Sequence, residues 1–280
     1  MKIVYFDTNA YNKLLEHPKR DSMIQNISRA TESGIFEIIF SPLNFEEILH
    51  TTDVDKRTQL LELAHSICGN KLFIDHKELL AKEFEASRKG TSVDRKDLYY
   101  MENGLKDTLQ KFIEGTPHKG IPSSLFEEMK DRKRDYLAFE KKSKSELMPL
   151  WKEHNGLKYE EFYKQSLENV QGKAMLKEIC RRALDSEISE EDISDINLDN
   201  MPGLRFLFKY IGASTYGQLL EDKKPKWGSG IDMNHSVFIG NSDVFVTEDN
   251  DFLAIVNLFK EPQTDCLSLD DFINKHVQIN

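Results

Sequence analysis

The segment KIVYFDTNAYNKL (residues 2–14) decides the fold expected for this chain. Its apolar run KIVYF is typical of a strand buried in a parallel sheet, and Asp7 follows directly where that strand ends. In an open parallel sheet, ligand sites lie outside the carboxyl ends of the strands. We therefore expect Asp7 at the functional edge of an α/β sheet, although Asp-Thr-Asn before YNKLL is equally typical of a helix N-cap.

A second stretch, SDVFVTEDNDF (242–252), repeats this pattern near the other end of the chain and favours the functional interpretation. Thr247 and Asp249 follow an apolar strand in the same sense as Asp7. Neighbouring parallel strands lie about 4.8 Å apart, so the two strand ends would share one crevice. Carboxylates that close raise one another's pKa unless a cation lies between them. Oxygen-only ligands indicate Mg²⁺ or Mn²⁺.

Two further acids are candidates because of their place relative to these strand ends. Glu47 lies on a short helix after the second strand, where only one of the adjacent Glu46 and Glu47 side chains faces the sheet. Asp232 opens a helix just before the strand at 243–247, after a flexible Gly-Ser-Gly. Considered alone, each is typical of surface charge or a helix cap. The two strand ends make both of them candidate ligands.

The order of elements predicts an α/β protein with a parallel sheet covered by helices on both faces. Strands are expected at 2–6, 35–40, 71–75, 243–247 and 265–267. The intervening region is charge-dense, has few strand-like runs and places apolar residues at helical spacing. We expect a discontinuous catalytic domain (1–90 and 225–280) and an all-helical insertion (91–224) that packs on it.

Composition narrows the class of protein. The chain has 280 residues and a formal net charge of −10, which argues against a non-specific nucleic-acid coat but not against a nuclease that collects carboxylates. No apolar run approaches the ~18 residues of a membrane span. Cys68, Cys180 and Cys266 suggest neither a disulfide framework nor a zinc site. The N-terminus is typical of a first strand rather than a secretory signal, so a cytoplasmic location is expected.

Taken in order, these motifs resemble those of the PIN-domain family. VYFDTNAYNKL (4–14) is similar to the family's first motif. SPLNFEEIL (41–49) is similar to the second, in which Ser41 precedes the acid by six positions and so selects Glu47. GSGIDMNH (228–235) and SDVFVTEDNDF are similar to the third and fourth. The resemblance covers about 1–90 and 225–280, and the segment between them has no counterpart in the compact members of the family.

The resemblance implies a divalent-metal-dependent endonuclease that hydrolyses phosphodiester bonds, in RNA more often than in DNA, with Mg²⁺ or Mn²⁺. It implies the sheet order 3-2-1-4-5, which puts the first and fourth strands side by side. The acids that it implies as catalytic and metal-binding are Asp7, Glu47, Asp232 and Asp249. The residues expected to support them are Thr8, Asn9, Thr247, Asp251 and His235, of which Asp251 is also typical of a helix cap and His235 of core packing.

The residues that contact substrate and the partners of the protein are predicted in less detail than the acidic site. The basic residues that are candidates for nucleic-acid contact, or else ordinary helix surface, are Lys223, Lys224, Lys226, Arg132, Lys133 and Arg134. Family habit suggests a toxin or defence effector with an inhibitory or regulatory protein partner, and a homo-oligomer is compatible with it. One rival hypothesis is a catalytically inactive PIN-like module that binds RNA or protein. Another is phosphotransfer through an aspartyl-phosphate at Asp7, which Asn9 disfavours because that class has an acid there.

Overall fold

The computed structural model describes residues 1–101, 134, 157–168, 170–184, 189, 196–220, 229–259 and 263–277. The strands are β1 (Lys2–Phe6), β2 (Phe36–Ile39), β3 (Lys71–Phe73), β4 (Tyr99–Met101), β5 (Val244–Val246) and β6 (Asp265–Leu267). The helices of the first third are α1 (Thr8–Glu16), α2 (Arg20–Glu32), α3 (Pro42–Leu49), α4 (Val54–Cys68) and α5 (His76–Arg88). The later helices are α6 (Tyr159–Glu168), α7 (Val170–Leu184), α8 (Pro202–Leu220), α9 (Ser229–Gly240), α10 (Asn250–Phe259) and α11 (Leu269–Phe272).

The centre of the fold is a parallel sheet in the order β2-β1-β5-β6, with β1 paired to both β2 and β5. Its strands are buried on both faces because their side chains alternate between two hydrophobic cores. Ile3 and Tyr5 belong to one core, whereas Val4 and Phe6 belong to the other. The predicted α/β class with helices flanking a parallel sheet is therefore confirmed.

The third predicted strand departs from the expected five-stranded sheet. β3 pairs in antiparallel fashion with β4, and it meets the parallel sheet at a single bridge between Phe40 and Leu72. A short strand with only one bridge to β2 finds more backbone partners in a nearby antiparallel strand. Lys71 and Tyr99, one from each strand of this pair, both contact the buried Glu37 carboxylate of β2, which holds the pair against the sheet.

β4 also corrects the expectation of an all-helical segment over residues 91–224. Its Tyr-Tyr pair has a high β propensity, and it sits in a charge-dense region where no apolar run marks a strand. Farther along, Tyr159, Leu204 and Phe208 share the same core as Tyr5. The described part of this region therefore packs directly on the sheet, while its division from the rest as a separate insertion stays a prediction.

Glu83 is a fully buried carboxylate that joins three elements. Its Oε1 accepts hydrogen bonds from the Gly203 backbone (2.7 Å) and the Asn241 side chain (2.8 Å), and its Oε2 accepts one from the Leu204 backbone (3.0 Å). α5 thereby caps the N-terminus of α8 and holds the residue that follows α9. Burial raises the pKa of Glu83 to about 7, against the opposing effect of these hydrogen bonds.

Substitution Glu83→Gln is expected to destabilise the fold by about 1–3 kcal/mol. A glutamine would turn one NH₂ group toward backbone N–H donors that the carboxylate now satisfies. Urea unfolding of this variant, beside Glu85→Gln on the exposed side of the same helix, checks the expectation. Equal midpoints for the two variants would contradict it.

Within the part of the chain that the structure describes, no helix is both long enough and apolar enough to cross a lipid bilayer.

Candidate functional site

The carboxyl ends of β1 and β5 lie side by side and carry two of the candidate site residues. Phe6 is in register with Val246, so Asp7 and Thr247 follow at neighbouring strand ends. The Asp7 N–H donates to the Val246 carbonyl at 3.0 Å. The Thr247 hydroxyl donates to Asp7 Oδ2, and its oxygen accepts from the Asp249 N–H at 2.9 Å. Thr247 thus connects the two acids predicted for the first and fourth motifs.

Asp7 caps α1 and also lies at the carboxyl edge of the sheet, so its position agrees with both interpretations of the sequence. Its Oδ1 accepts from the Ala10 N–H at 2.7 Å and so caps α1, while its side chain faces the strand ends and the residue is only 8% exposed. Burial raises the pKa of Asp7 from 3.8 to about 7, opposed by the hydrogen bonds from Thr247 and Ala10 and reinforced by the charge of Glu47. A carboxyl that is costly to ionise gains from a nearby cation.

Glu47 reaches the same region from α3. Ser41 starts α3 through a capping box with Asn44, and the Asn44 amide donates to the Phe6 carbonyl at 3.0 Å, which ties the helix to the end of β1. One turn later, Glu47 Oε2 accepts from the Thr8 hydroxyl at 2.5 Å and contacts His235 Nε2 at 3.1 Å. The structure thus brings Glu47 to the residue that follows Asp7.

The environment of Glu47 keeps it ionised, in contrast to that of Asp7. Burial alone raises the pKa of Glu47, but the electrostatic interaction and hydrogen bond with His235 and the hydrogen bond from Thr8 outweigh it and lower the pKa below its ordinary value. About a quarter of the side chain, 25%, remains exposed. Glu47 therefore ionises more readily than a free glutamate, whereas Asp7 ionises less readily than a free aspartate.

Asp249 acts as a helix cap at the edge of the site. Its Oδ1 accepts from the backbone N–H groups of Asp251 (2.8 Å) and Phe252 (3.0 Å) at the start of α10. The other supporting residues are Thr8, which is half-buried and bonded to Glu47, and Asn9 and Asp251, which are both exposed.

His235 is buried in α9, with its two ring nitrogens at Glu47 and at the Tyr5 hydroxyl. Asp232 lies on the same helix one turn earlier, and its side chain lies outside the described residues. Of the predicted basic contacts, Arg134 is exposed. The others, which are Lys223, Lys224, Lys226, Arg132 and Lys133, lie outside the described residues.

The carboxylate oxygens of the candidate residues are of the ligand type that hard divalent cations prefer. Among the side chains that the structure describes, no three His, Cys, Asp or Glu stand in an arrangement that could hold a metal ion. Asp232, the fourth predicted ligand, is not among those side chains. Glu47 Oε1 and Asp249 Oδ2 accept no hydrogen bond from the described residues, so one oxygen of each is available. The carboxylates of Asp7, Glu47 and Asp249 supply the oxygen ligands that Mg²⁺ and Mn²⁺ prefer.

Sequence reasoning used Ser41 to select Glu47 but missed Tyr5 and Asn44 as contributors to the site. The Ser-x-x-Asn spacing at the start of α3 was a usable signal, because it resembles a capping box. No local signal marks Tyr5, whose hydroxyl partner His235 lies 230 positions away.

Comparison with protein-family models, with curated proteins and with solved structures found no match for this chain.

Proposed function

We propose that this protein is a divalent-metal-dependent endonuclease that hydrolyses phosphodiester bonds, most readily in RNA. The observation that supports the proposal is the pairing of Asp7 and Glu47 at the carboxyl edge of a parallel sheet. Asp7 is buried and has a pKa of about 7, and Glu47 lies beside it as a charged carboxylate. Two like charges in one buried site favour a bound cation between them.

The chain's own residues have separate tasks in this proposal. Asp7, Glu47, Asp232 and Asp249 would hold Mg²⁺ or Mn²⁺. When bound, such an ion lowers the pKa of a coordinated water and neutralises charge on the phosphate. Thr8 and Thr247 orient the Glu47 and Asp7 carboxylates through hydrogen bonds. The buried walls around Asp7 restrict water and so strengthen the electrostatic interactions within the site.

The test is incubation of the purified protein with mixed tRNA, mRNA and single-stranded DNA in the presence of Mg²⁺ or Mn²⁺. Asp249→Asn is expected to reduce cleavage about 10²–10³-fold, as the removal of one preorganised charged group does. Asp53→Asn is the matched control, because Asp53 also caps a helix, accepting from the Lys56 N–H at the start of α4, and belongs to no acidic group at the strand ends.

Four results would contradict the proposal. Cleavage that persists in EDTA would show that the reaction does not need a metal ion. Cleavage that survives Asp249→Asn would show that the assigned acidic centre is wrong. RNA binding without cleavage under any metal would favour the catalytically inactive PIN-like module. A phosphate trapped on Asp7 would point instead to phosphotransfer.

The remaining parts of the proposal follow from the PIN-domain resemblance. They are a cytoplasmic location, a role as toxin or defence effector, substrate contact through the basic segments around Arg134 and Lys224, and an inhibitory protein partner. Copurification of a tightly bound protein that suppresses cleavage would support the last of these.

A further inference from the structure

A chain of buried polar contacts runs from the core to Glu47. The Tyr5 hydroxyl contacts His235 Nδ1, and the opposite ring nitrogen, Nε2, lies 3.1 Å from Glu47 Oε2. Tyr5 is fully buried and His235 is 3% exposed. The His235 imidazole therefore lies between Tyr5 and Glu47, and each of its two nitrogens contacts one of them.

The far end of this chain is rigid. The Tyr5 ring stacks on Phe245 of the neighbouring strand, with centroids 5.8 Å apart, and meets Phe73 edge-on at 5.7 Å. Its hydroxyl lies 2.8 Å from Ser41 Oγ, within the capping box of α3. Because β1, β5 and α3 all hold Tyr5, its hydroxyl presents a fixed point to His235.

The partners determine which ring nitrogen of His235 carries hydrogen. A glutamate carboxylate accepts hydrogen bonds only, and Glu47 Oε2 lies 3.1 Å from His235 Nε2. Nε2 must then be the donor. In a neutral imidazole with hydrogen on Nε2, Nδ1 accepts, and the Tyr5 hydroxyl is the group beside it that donates. Ser41 Oγ lies 2.8 Å from the Tyr5 oxygen and 2.9 Å from Asn44 Oδ1. Because the Ser41 N–H also donates to Asn44 Oδ1, at 3.1 Å, the single hydroxyl hydrogen of Ser41 can turn to the Tyr5 oxygen.

We infer that His235 is a positioning residue for Glu47, and that Tyr5 stabilises the His235 tautomer that does the positioning. The inference rests on the proposed function of Glu47. A His235 whose two nitrogens are buried and engaged has no nitrogen directed at a metal ion or a substrate. Instead, His235 and Thr8 both contact Oε2 of Glu47 and fix the orientation of the carboxylate. The other oxygen, Oε1, is then the one that faces the proposed metal site.

The first test compares Tyr5→Phe with Tyr11→Phe. Both residues are fully buried tyrosines, but the Tyr11 hydroxyl contacts Cys68 Sγ at 3.0 Å rather than His235. Tyr5→Phe is expected to lower kcat about 10-fold with KM unchanged, because groups that orient a ligand cost about 10–100-fold when removed. Tyr11→Phe is expected to leave kcat unchanged. Equal kcat values for the two variants would overturn the inference.

A second comparison separates positioning from packing at His235 itself. The amide of a glutamine can donate from the place of Nε2, whereas a leucine of similar size cannot. His235→Gln is therefore expected to keep most of the wild-type kcat, and His235→Leu to lose about 10–100-fold. Equal losses in both variants would mean that the ring acts through its volume alone.

Two readouts do not depend on cleavage. Long-range ¹H–¹⁵N NMR of the metal-free protein should show His235 with hydrogen on Nε2, and a mixture of tautomers in Tyr5→Phe but not in Tyr11→Phe. Hydrogen on Nδ1 in the wild type would overturn the inference. Calorimetry with Mn²⁺ should show about 10-fold weaker binding for Tyr5→Phe than for Tyr11→Phe.

These readouts keep the two proposals apart. If cleavage depends on Asp249 but is unchanged in Tyr5→Phe, the positioning role is refuted and the proposed function stands. If the protein cleaves none of the nucleic acids, the proposed function is refuted. The Mn²⁺ affinities would then decide the inference, with equal affinities for the two tyrosine variants overturning it and a weaker Tyr5→Phe supporting it.

Discussion

Asp7→Asn is expected to abolish cleavage and, in the absence of metal, to make the protein more stable above pH 7. The loss of cleavage should be about 10²–10³-fold or more, because the substitution removes a charged group from the proposed centre. The gain in stability follows from burial, which raises the pKa of Asp7 to about 7. The capping contact survives, since an asparagine oxygen can still accept from the Ala10 N–H.

The sign follows from the order of the two pKa values of Asp7. Its carboxyl ionises above its ordinary value of 3.8 in the unfolded chain, but only above about 7 in the folded protein. The folded state therefore holds the extra proton between these values, and Asp7 makes the wild type progressively less stable as pH rises through that window. Removing the charge should recover roughly 1–3 kcal/mol at pH 8.

Asp75→Asn provides a matched control with the opposite sign. Asp75 also caps a helix, but its pKa is lowered to about 2, chiefly by the His76 imidazole, whose Nδ1 lies 3.3 Å from Asp75 Oδ2, and against the effect of burial. Asp75→Asn should thus lower the free energy of unfolding at neutral pH. Urea unfolding of both variants at pH 5 and pH 8, with EDTA present, checks the pair. An Asp7→Asn variant that is less stable than wild type at pH 8 would refute the argument.

Gly240→Ala is expected to destabilise the fold by about 3 kcal/mol or more. A Cβ at Gly240 would lie 2.2 Å from the carbonyl oxygen of Pro202 and 2.8 Å from the Cα of Gly203. These are backbone atoms, so no rotamer change can relieve the overlap. The end of α9 would have to move away from the start of α8, and the contacts of Glu83 with Gly203 and Asn241 would be strained.

The control for this prediction is Gly217→Ala in α8. A Cβ at Gly217 meets nothing within 4 Å, so alanine should stabilise the helix by about 0.5–1 kcal/mol through its higher helix propensity. Thermal unfolding of the two variants should move the midpoint in opposite directions. A Gly240→Ala protein with a wild-type midpoint would show that α8 and α9 do not meet this closely.

The sequence was sufficient for those parts of the site that follow from strand geometry. An acid directly after an apolar strand is a local pattern, and a parallel sheet turns two such patterns into neighbours, as Asp7 and Thr247 are. Glu47 needed more, since its place depends on how α3 leaves β2. The resemblance to the second PIN motif, with Ser41 six positions before the acid, supplied the choice of Glu47, and the structure shows Ser41 as the residue that caps α3.

Other features could not be read from the sequence because they depend on long-range packing. The choice of β3 between the parallel sheet and β4 rests on which backbone partners are near, and three-residue strands carry little pattern of their own. The contact of Tyr5 with His235 was equally hidden. An apolar strand indicates that Tyr5 is buried, but it does not indicate which helix covers its hydroxyl.

The pairing of β1 with β5 has a consequence for biosynthesis. Asp7 and Thr247 are 240 positions apart, and ribosomes add only about 5–20 residues per second. While the chain is being made, β1 leaves the ribosome about 240 residues before the segment that supplies Thr247. The acidic centre in the proposed function therefore cannot assemble on the nascent polypeptide until β5 and the residues that follow it have emerged.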